Sequence, residues 1–202
     1  MRTQKQRVVP LDKSDWTNEQ TEVMVAITGR KPMYERLNIF RVLLRHPVAL
    51  RAFQEWLWHI HGSSNTLGIR ERELAVLRTG YLCQSGYEWA QHVRIARELG
   101  FSIAEIDAVK IGAAADNWSS EDAAILKACD ELHSDQFVSD DTWALLSRFL
   151  GEQQRMDLVF TVGQYTLVSM FLNSFGVQLD DFLTLDPDLV GQRQPTVDTR
   201  GV

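Results

Sequence analysis

The segment from Arg70 to Gly100 constrains the fold of this chain more than any other part of the sequence. Residues 69–81 and 87–99 are predicted helices, and Gly100 is placed to end the second one. The stretch Cys83–Ser85 between them is short and polar, which suits a tight turn. Two helices joined by such a short connection pack as antiparallel neighbours. The segment therefore predicts a helical hairpin.

The remainder of the chain carries further helix signals and no clear strand or hairpin-turn pattern. Helices are predicted over residues 15–27, 34–44, 47–61 and 153–175, and others begin near Ser102, Ser119 and Ser139. The segment 153–175 is apolar on nearly every side, a pattern typical of a helix buried in a domain or in a subunit interface. We therefore predict a compact all-α domain with the hairpin at its centre.

Polar residues interrupt that apolar helix at steps of four: Thr161, Tyr165, Ser169 and Asn173. Such spacing makes a slowly drifting polar stripe along one side of a helix. Buried polar groups need hydrogen-bond partners, which neighbouring backbone could supply. The same stripe could instead face a polar pocket, and the sequence leaves both interpretations open.

Composition and charge exclude several classes of function. The formal net charge of −6 and the absence of a basic stripe argue against nucleic acid as a partner. There is no run of about 18 apolar residues, so no membrane span is expected. The first residues lack the apolar core of a signal peptide, and two cysteines cannot make a disulfide framework. We expect a soluble cytoplasmic protein.

The length of 202 residues suits one domain with extensions at both ends. We predict an N-terminal arm with a short helix over residues 1–32, the helical domain over residues 33–182, and a C-terminal tail over residues 183–202.

The hairpin brings acid–base groups together. Because a helix rises by about 1.5 Å per residue, Glu73 and His92 should lie at similar depths on its two arms. Glu88 and His92 are four residues apart and share a helix face, as do Ser85 and Glu88 at a spacing of three. With the phenol of Tyr87, this set contains the groups needed to move protons without a cofactor.

Each residue of the hairpin also has an ordinary structural interpretation, as a solvated charge, a capping histidine, a core aromatic ring or a small buried side chain: Glu73, His92, Tyr87, Trp89 and Cys83. His59 and His61 alternate near the end of a predicted helix without a second pair of ligands, so no metal site is predicted.

The pattern Glu73…Ser85-x-x-Glu88-x-x-x-His92 resembles the carboxymuconolactone decarboxylase and alkylhydroperoxidase D superfamily. The string that runs from Tyr87 to His92, YEWAQH, is similar to its decarboxylase-like branch. Motifs outside the hairpin extend the resemblance over residues 33–181: NIFR at 38–41, DNWS at 116–119, DELH at 130–133 and SDDTW at 139–143. The resemblance implies an AhpD-like helical fold and assembly into trimers or hexamers.

The resemblance also implies roles for particular residues. Peroxidases of this family use a Cys-x-x-Cys pair, and the matching positions here are Ser85 and Glu88, neither of which can do thiol chemistry. Cys83 lies two positions away and has no partner three residues on. Glu73 and His92 match the relay glutamate and histidine, and Tyr87 stands where the peroxidases carry a second relay histidine.

Together these observations predict a cofactor-free lyase, a decarboxylase, or an isomerase that acts on a small carboxylate or lactone. His92 would be the acid–base, Glu73 would orient it, and Tyr87 would donate a hydrogen bond to a developing enolate. Further residues are predicted as possible lining of the site: Ser85, Glu88, Cys83, Trp89, Tyr165, Ser169 and Asn173. The alternatives are a thiol-dependent hydroperoxide reductase, against which the missing cysteine pair counts, and a non-catalytic oligomeric binding protein.

Overall fold

The computed structural model describes residues 1–29 and 31–190, and every regular element in that part of the chain is a helix. The α-helices are α1 (Asn18–Thr28), α2 (Asn38–Leu43), α3 (Pro47–His61), α4 (Ile69–Leu82), α5 (Gly86–Glu98), α6 (Ile103–Ile111), α7 (Ser120–Asp135), α8 (Asp140–Leu146) and α9 (Glu152–Phe175). Short 3-10 helices occupy Lys13–Asp15, Pro32–Arg36 and Pro187–Leu189. The predicted all-α class is confirmed.

Local sequence signals set most helix ends. Ser102 and Glu105 form a reciprocal capping box at the start of α6, as their spacing predicts. Ser119 and Ser139 cap α7 and α8 by accepting hydrogen bonds from backbone N–H groups three residues on. Gly100, with φ of +92°, follows the end of α5 in a conformation that glycine adopts without strain.

The prediction of one helix over residues 34–44 is wrong. The chain forms a 3-10 turn over Pro32–Arg36, then passes through an extended residue, Leu37, before α2 begins. The side chain of Asp180 accepts a hydrogen bond from the backbone N–H of Asn38 at 2.8 Å, which caps the first turn of α2. A group 142 residues away in sequence therefore fixes this break.

The hairpin of α4 and α5 lies at the centre of the domain, as predicted. Helix α4 packs against α5, α7 and α9, and its residues from Glu73 to Gly80 are all buried. The turn closes tightly, because the N–H of Ser85 donates to the carbonyl of Gly80 at 2.9 Å. The main apolar core surrounds this hairpin with residues of α4, α7 and α9, among them Leu74, Leu77, Ile125, Leu126 and Leu158.

Helix α9 buries only one of its faces. Leu158, Val162, Val168 and Leu172 point into the protein, whereas an exposed row runs along the opposite side: Met156, Phe160, Leu167 and Met170. Within the described residues, α9 is the one helix long and apolar enough to cross a membrane. Its buried face packs on α4 and α7 as a core helix does, while a cytoplasmic location stays a prediction.

The chain termini pack onto the helical domain. The backbone N–H groups of Arg7 and Val8 donate to the carbonyl of Phe175 at the end of α9. Asp186 binds Lys110 of α6 at 2.8 Å and the indole N–H of Trp89 at 3.0 Å. Residues 191–202 of the predicted tail lie outside the described residues, and the predicted division at residues 32 and 182 stays a prediction.

Candidate active site

A cavity of about 620 Å³ lies between α3, α4, α5, α9 and the segment around residues 31–40. Ligand sites of about this size are common in proteins. Its polar lining comes from α5, from the ends of α3 and α9, and from the first turn of α4. Most of its remaining wall is aromatic or aliphatic, including Tyr34, Phe40, Phe53, Leu57, Trp58 and Val168.

The imidazole of His92 is held between two carboxylates. Its Nδ1 lies 2.7 Å from Oε1 of Glu73 on α4, and its Nε2 lies 3.0 Å from Oε1 of Glu88, one turn earlier on α5. All three side chains are no more than 7% exposed. The hairpin supplies the first contact and the four-residue helical repeat supplies the second. We call this set the carboxylate–histidine clamp.

The clamp keeps His92 positively charged. Burial alone would lower the pKa of His92, but the charge of Glu73 and the hydrogen bonds to Glu73 and Glu88 outweigh it and raise the pKa to about 10. An imidazolium donates from both ring nitrogens, and here each has a carboxylate acceptor. His92 therefore has no ring nitrogen left for a ligand. Glu88 lines the cavity beside His92, whereas Glu73 lies behind the ring.

A second histidine, His61, faces the clamp across the cavity. Its Nε2 lies 2.6 Å from the hydroxyl oxygen of Tyr165. The ring of Tyr165 meets that of His92 edge-on, with centroids 5.0 Å apart. Burial, followed by the positive charges of His92 and Arg72, lowers the pKa of His61 to about 3, so it is neutral at pH 7. Burial and the nearby charge of Glu88 raise the pKa of Tyr165, so its phenol keeps its proton.

Tyr165 confirms the pocket interpretation for one member of the polar stripe on α9, and the backbone interpretation holds for two others. The hydroxyl of Thr161 donates to the carbonyl of Asp157 at 2.7 Å. The side-chain amide of Asn173 donates to the carbonyl of Cys83 at 3.0 Å. Sequence reasoning weighed His61 only as a metal ligand, because its pairing with Tyr165 joins residues 104 positions apart.

The hydroxyl of Tyr87 is engaged away from the clamp. It donates to Oδ2 of Asp180 at 2.6 Å and accepts a weaker hydrogen bond from the amide of Gln91 at 3.4 Å. Gln91 also donates to Asp180 at 2.7 Å. Although Tyr87 borders the cavity, its proton is committed to Asp180, and its predicted role as a donor to an enolate does not fit this geometry.

Several residues predicted to line the site lie outside the cavity wall: Ser85, Cys83, Trp89, Ser169 and Asn173. Trp89 packs in the main core and binds Asp186. The thiol of Cys83 sits beside Thr166, Ser169 and His133, with Sγ 3.8 Å from Nδ1 of His133. Burial raises the pKa of Cys83, which makes its reactive thiolate form scarcer.

Comparisons with known proteins place this geometry in a wider context. Residues 47–131, which hold the whole hairpin, match the carboxymuconolactone decarboxylase family. A search among curated proteins gave no match.

Solved structures share the fold at low sequence identity. A peroxidase-related protein with an alkylhydroperoxidase AhpD core from Ralstonia eutropha JMP134 superimposes with a TM-score of 0.74 at 17% identity, covering 87% of this chain and 92% of its own. A peroxidase-related protein from Silicibacter sp. TM1040 gives 0.70 at 13% identity, covering 94% and 98%. The debrominase Bmp8 in complex with 2,3,4-tribromopyrrole gives 0.70 at 13%, covering 86% and 91%. The predicted AhpD-like fold is confirmed.

Proposed function

Because this chain belongs to the carboxymuconolactone decarboxylase and AhpD-like superfamily, we propose that it is a cofactor-free proton-transfer enzyme. The reaction class is decarboxylation or isomerisation of a small organic acid or lactone. One observation carries the proposal: a buried imidazolium shares its Nε2 proton with a carboxylate, Glu88, that borders a ligand-sized cavity.

In a decarboxylation, the bond between the substrate carbon and its carboxylate breaks and carbon dioxide leaves. The electron pair stays on the organic fragment as an enolate. The Nε2 proton of His92 then passes through Glu88 to the carbon, which leaves His92 neutral and hydrogen-bonded to Glu73. Water returns a proton to His92 after product release. The net change consumes one proton and releases carbon dioxide.

In an isomerisation, Glu88 removes a proton from a carbon beside a carbonyl group and returns it to another carbon of the same substrate. The positive charge of His92, 3.0 Å away, stabilises the carboxylate before and after each transfer. Both reactions therefore assign the acid–base role to Glu88, and they assign His92 to holding charge and supplying the proton.

The developing negative oxygen of either reaction needs a hydrogen-bond donor. Tyr165 is the candidate, because it borders the cavity and keeps its proton. In the tautomer of His61 that carries hydrogen on Nε2, the imidazole donates to the Tyr165 oxygen and leaves the phenol O–H for a substrate oxygen. This pair takes over the role that the sequence had suggested for Tyr87.

The test of this proposal uses reaction class rather than one substrate. The protein is incubated in heavy water with acetoacetate and with a carboxylated unsaturated lactone, and proton NMR follows loss of the carboxylate and deuterium entry at carbon. We expect acceleration of one of these processes over the uncatalysed rate. No acceleration in either, with consumption of hydrogen peroxide and a dithiol, would show a hydroperoxide reductase instead. No turnover in any of these assays, with carboxylates raising the melting temperature, would show a binding protein.

Replacing Cys83 by serine is expected to leave this turnover within about twofold of wild type, because the thiol lies outside the cavity wall. Steady-state kinetics of the two proteins on the same substrate provide the measurement. A loss of more than about tenfold, equivalent to about 1.4 kcal/mol in the activation free energy, would mean that the thiol takes part.

We also propose a homo-oligomer, as the family resemblance implies. Met156, Phe160, Gly163, Leu167 and Met170 follow the four-three spacing of a helix–helix seam, and all five are exposed on α9. An apolar row of this kind fits the same row of a second copy.

The assembly is tested by light scattering after size exclusion. The wild-type protein is expected to run at a multiple of its monomer mass, and the double variant Leu167→Glu/Met170→Glu is expected to run as a monomer. Ile111→Glu, at an exposed apolar residue on α6, controls for the added charge. An unchanged mass in the double variant would remove α9 from the interface.

A further inference from the structure

Two cations that border the cavity have no partner of opposite charge. Within residues 1–29 and 31–190, the side chains of Arg72 and Lys31 make no ion pair and no hydrogen bond. The third cation of the lining, Arg94, is paired with Glu98 at 2.6 Å. A half-buried arginine that faces a cavity without a carboxylate is a common mark of an anion site.

Arg72 lies near the acid–base groups. Its positive charge lowers the pKa of both His61 and Tyr165, which places the guanidinium within electrostatic reach of that pair. It follows Glu71 and precedes Glu73 on α4, so the helix turns Glu73 inward to His92 and leaves Arg72 on the cavity side. Lys31 is exposed and adds positive charge to the rim.

The remaining wall favours a flat apolar body. The ring of Tyr34 stacks on Phe40 with centroids 4.3 Å apart and lies nearly parallel to Trp58 at 5.9 Å. Phe53, Leu57 and Val168 extend this surface. A cavity of about 620 Å³ is in the range of drug-sized ligands, which is larger than a small lactone acid needs. Planar rings gain from contact with aromatic faces beyond the area that they bury.

We infer that the substrates are carboxylates attached to a flat ring system, bound with the carboxylate on Arg72 and the ring against Tyr34, Phe40 and Trp58. The inference rests on the proposed function and names its substrate class. It makes Arg72 the residue that selects for negative charge. The aromatic wall then selects for ring shape, and the substrate carbon that exchanges a proton lies towards Glu88.

The inference is tested by equilibrium binding of ring acids, without turnover. Isothermal titration compares 2-naphthoate with 2-naphthamide, which has the same ring without the charge, and with octanoate, which has the charge without the ring. We expect 2-naphthoate to bind the wild-type protein at least tenfold more tightly than either of the other two. This comparison needs no variant, so it stands even where a substitution disturbs folding.

Arg72→Met is expected to weaken 2-naphthoate binding by about ten- to a hundredfold, the range of one charge-assisted hydrogen-bonding partner. The same change should leave 2-naphthamide within about twofold. Arg97→Met, at an exposed arginine of α5 outside the cavity lining, should change neither.

Equal binding of naphthoate and naphthamide, or no binding of either, would overturn the anion site at Arg72. Equal binding of naphthoate and octanoate would overturn the ring requirement. Each of these results would leave the proton-transfer proposal standing, because that proposal is measured by deuterium entry. Conversely, selective binding of 2-naphthoate without any proton exchange would support the site and contradict the chemistry.

Discussion

Glu88→Gln is expected to lower kcat for proton exchange or decarboxylation by about 10²–10⁴, the usual contribution of a general acid–base. Glutamine has the same shape and still accepts a hydrogen bond from Nε2 of His92, whose distance to Glu88 is 3.0 Å in the native protein. It cannot take a proton from carbon or deliver one to it. The loss should therefore appear in kcat, while the affinity for a ring carboxylate stays within a few fold.

Two measurements keep this prediction sharp. Circular dichroism and thermal unfolding should show that the variant folds, and Glu55→Gln, at an exposed glutamate of α3 outside the cavity lining, should keep wild-type kinetics. A Glu88→Gln protein with unchanged kcat would take the acid–base role away from Glu88. Because His92 has no free nitrogen in the clamp, that result would contradict the mechanism as a whole.

His92→Ala is expected to lower the free energy of unfolding by about 3–5 kcal/mol at pH 7, as removal of one partner from a buried ion pair does. The alanine would leave Glu73 and Glu88 facing each other with their shared cation gone. Both carboxylates are nearly fully buried, so water cannot replace the imidazolium. Urea denaturation of the two proteins measures the difference. His133→Ala, at an exposed histidine on α7, should change stability by less than about 0.5 kcal/mol.

The pH dependence of that difference has a definite sign. The pKa of His92 is raised from 6.5 to about 10 in the folded protein. The stabilisation from its charge is therefore fully present below pH 6.5, declines above it, and is lost as pH rises through about 10. The stability gap between wild type and His92→Ala should narrow from pH 7 to pH 10. A gap that stays constant over that range would show that His92 is neutral in the clamp.

The local part of the site could be predicted from the sequence. A four-residue helical spacing fixes Glu88 against His92, and the hairpin geometry brings Glu73 to the same depth. These are short-range relations, set by helix repeat and by one tight turn. The order of the helices follows equally from local capping and spacing signals, as the boxes at the start of α6 and α7 illustrate.

The long-range part could not be predicted. The direction of the Tyr87 hydroxyl depends on Asp180, which is 93 residues away, and Tyr165 pairs with His61 across 104 residues. No helical or turn rule relates such positions, because their contact depends on how whole helices pack. The buried carboxylate of Asp180 also breaks the helix predicted over 34–44, which moves Tyr34 into the cavity wall.

The two histidines of the cavity differ in charge, and neither titrates near neutrality. The pKa of His61 is about 3 and that of His92 about 10, so one ring is neutral and the other cationic throughout the interval between them. Histidine is the side chain that ordinarily makes proteins respond to small acidity changes around pH 6.5. Here the paired rings act as a constant electrostatic background, and the cavity is insulated from the moderate acidification that switches many histidine-bearing sites.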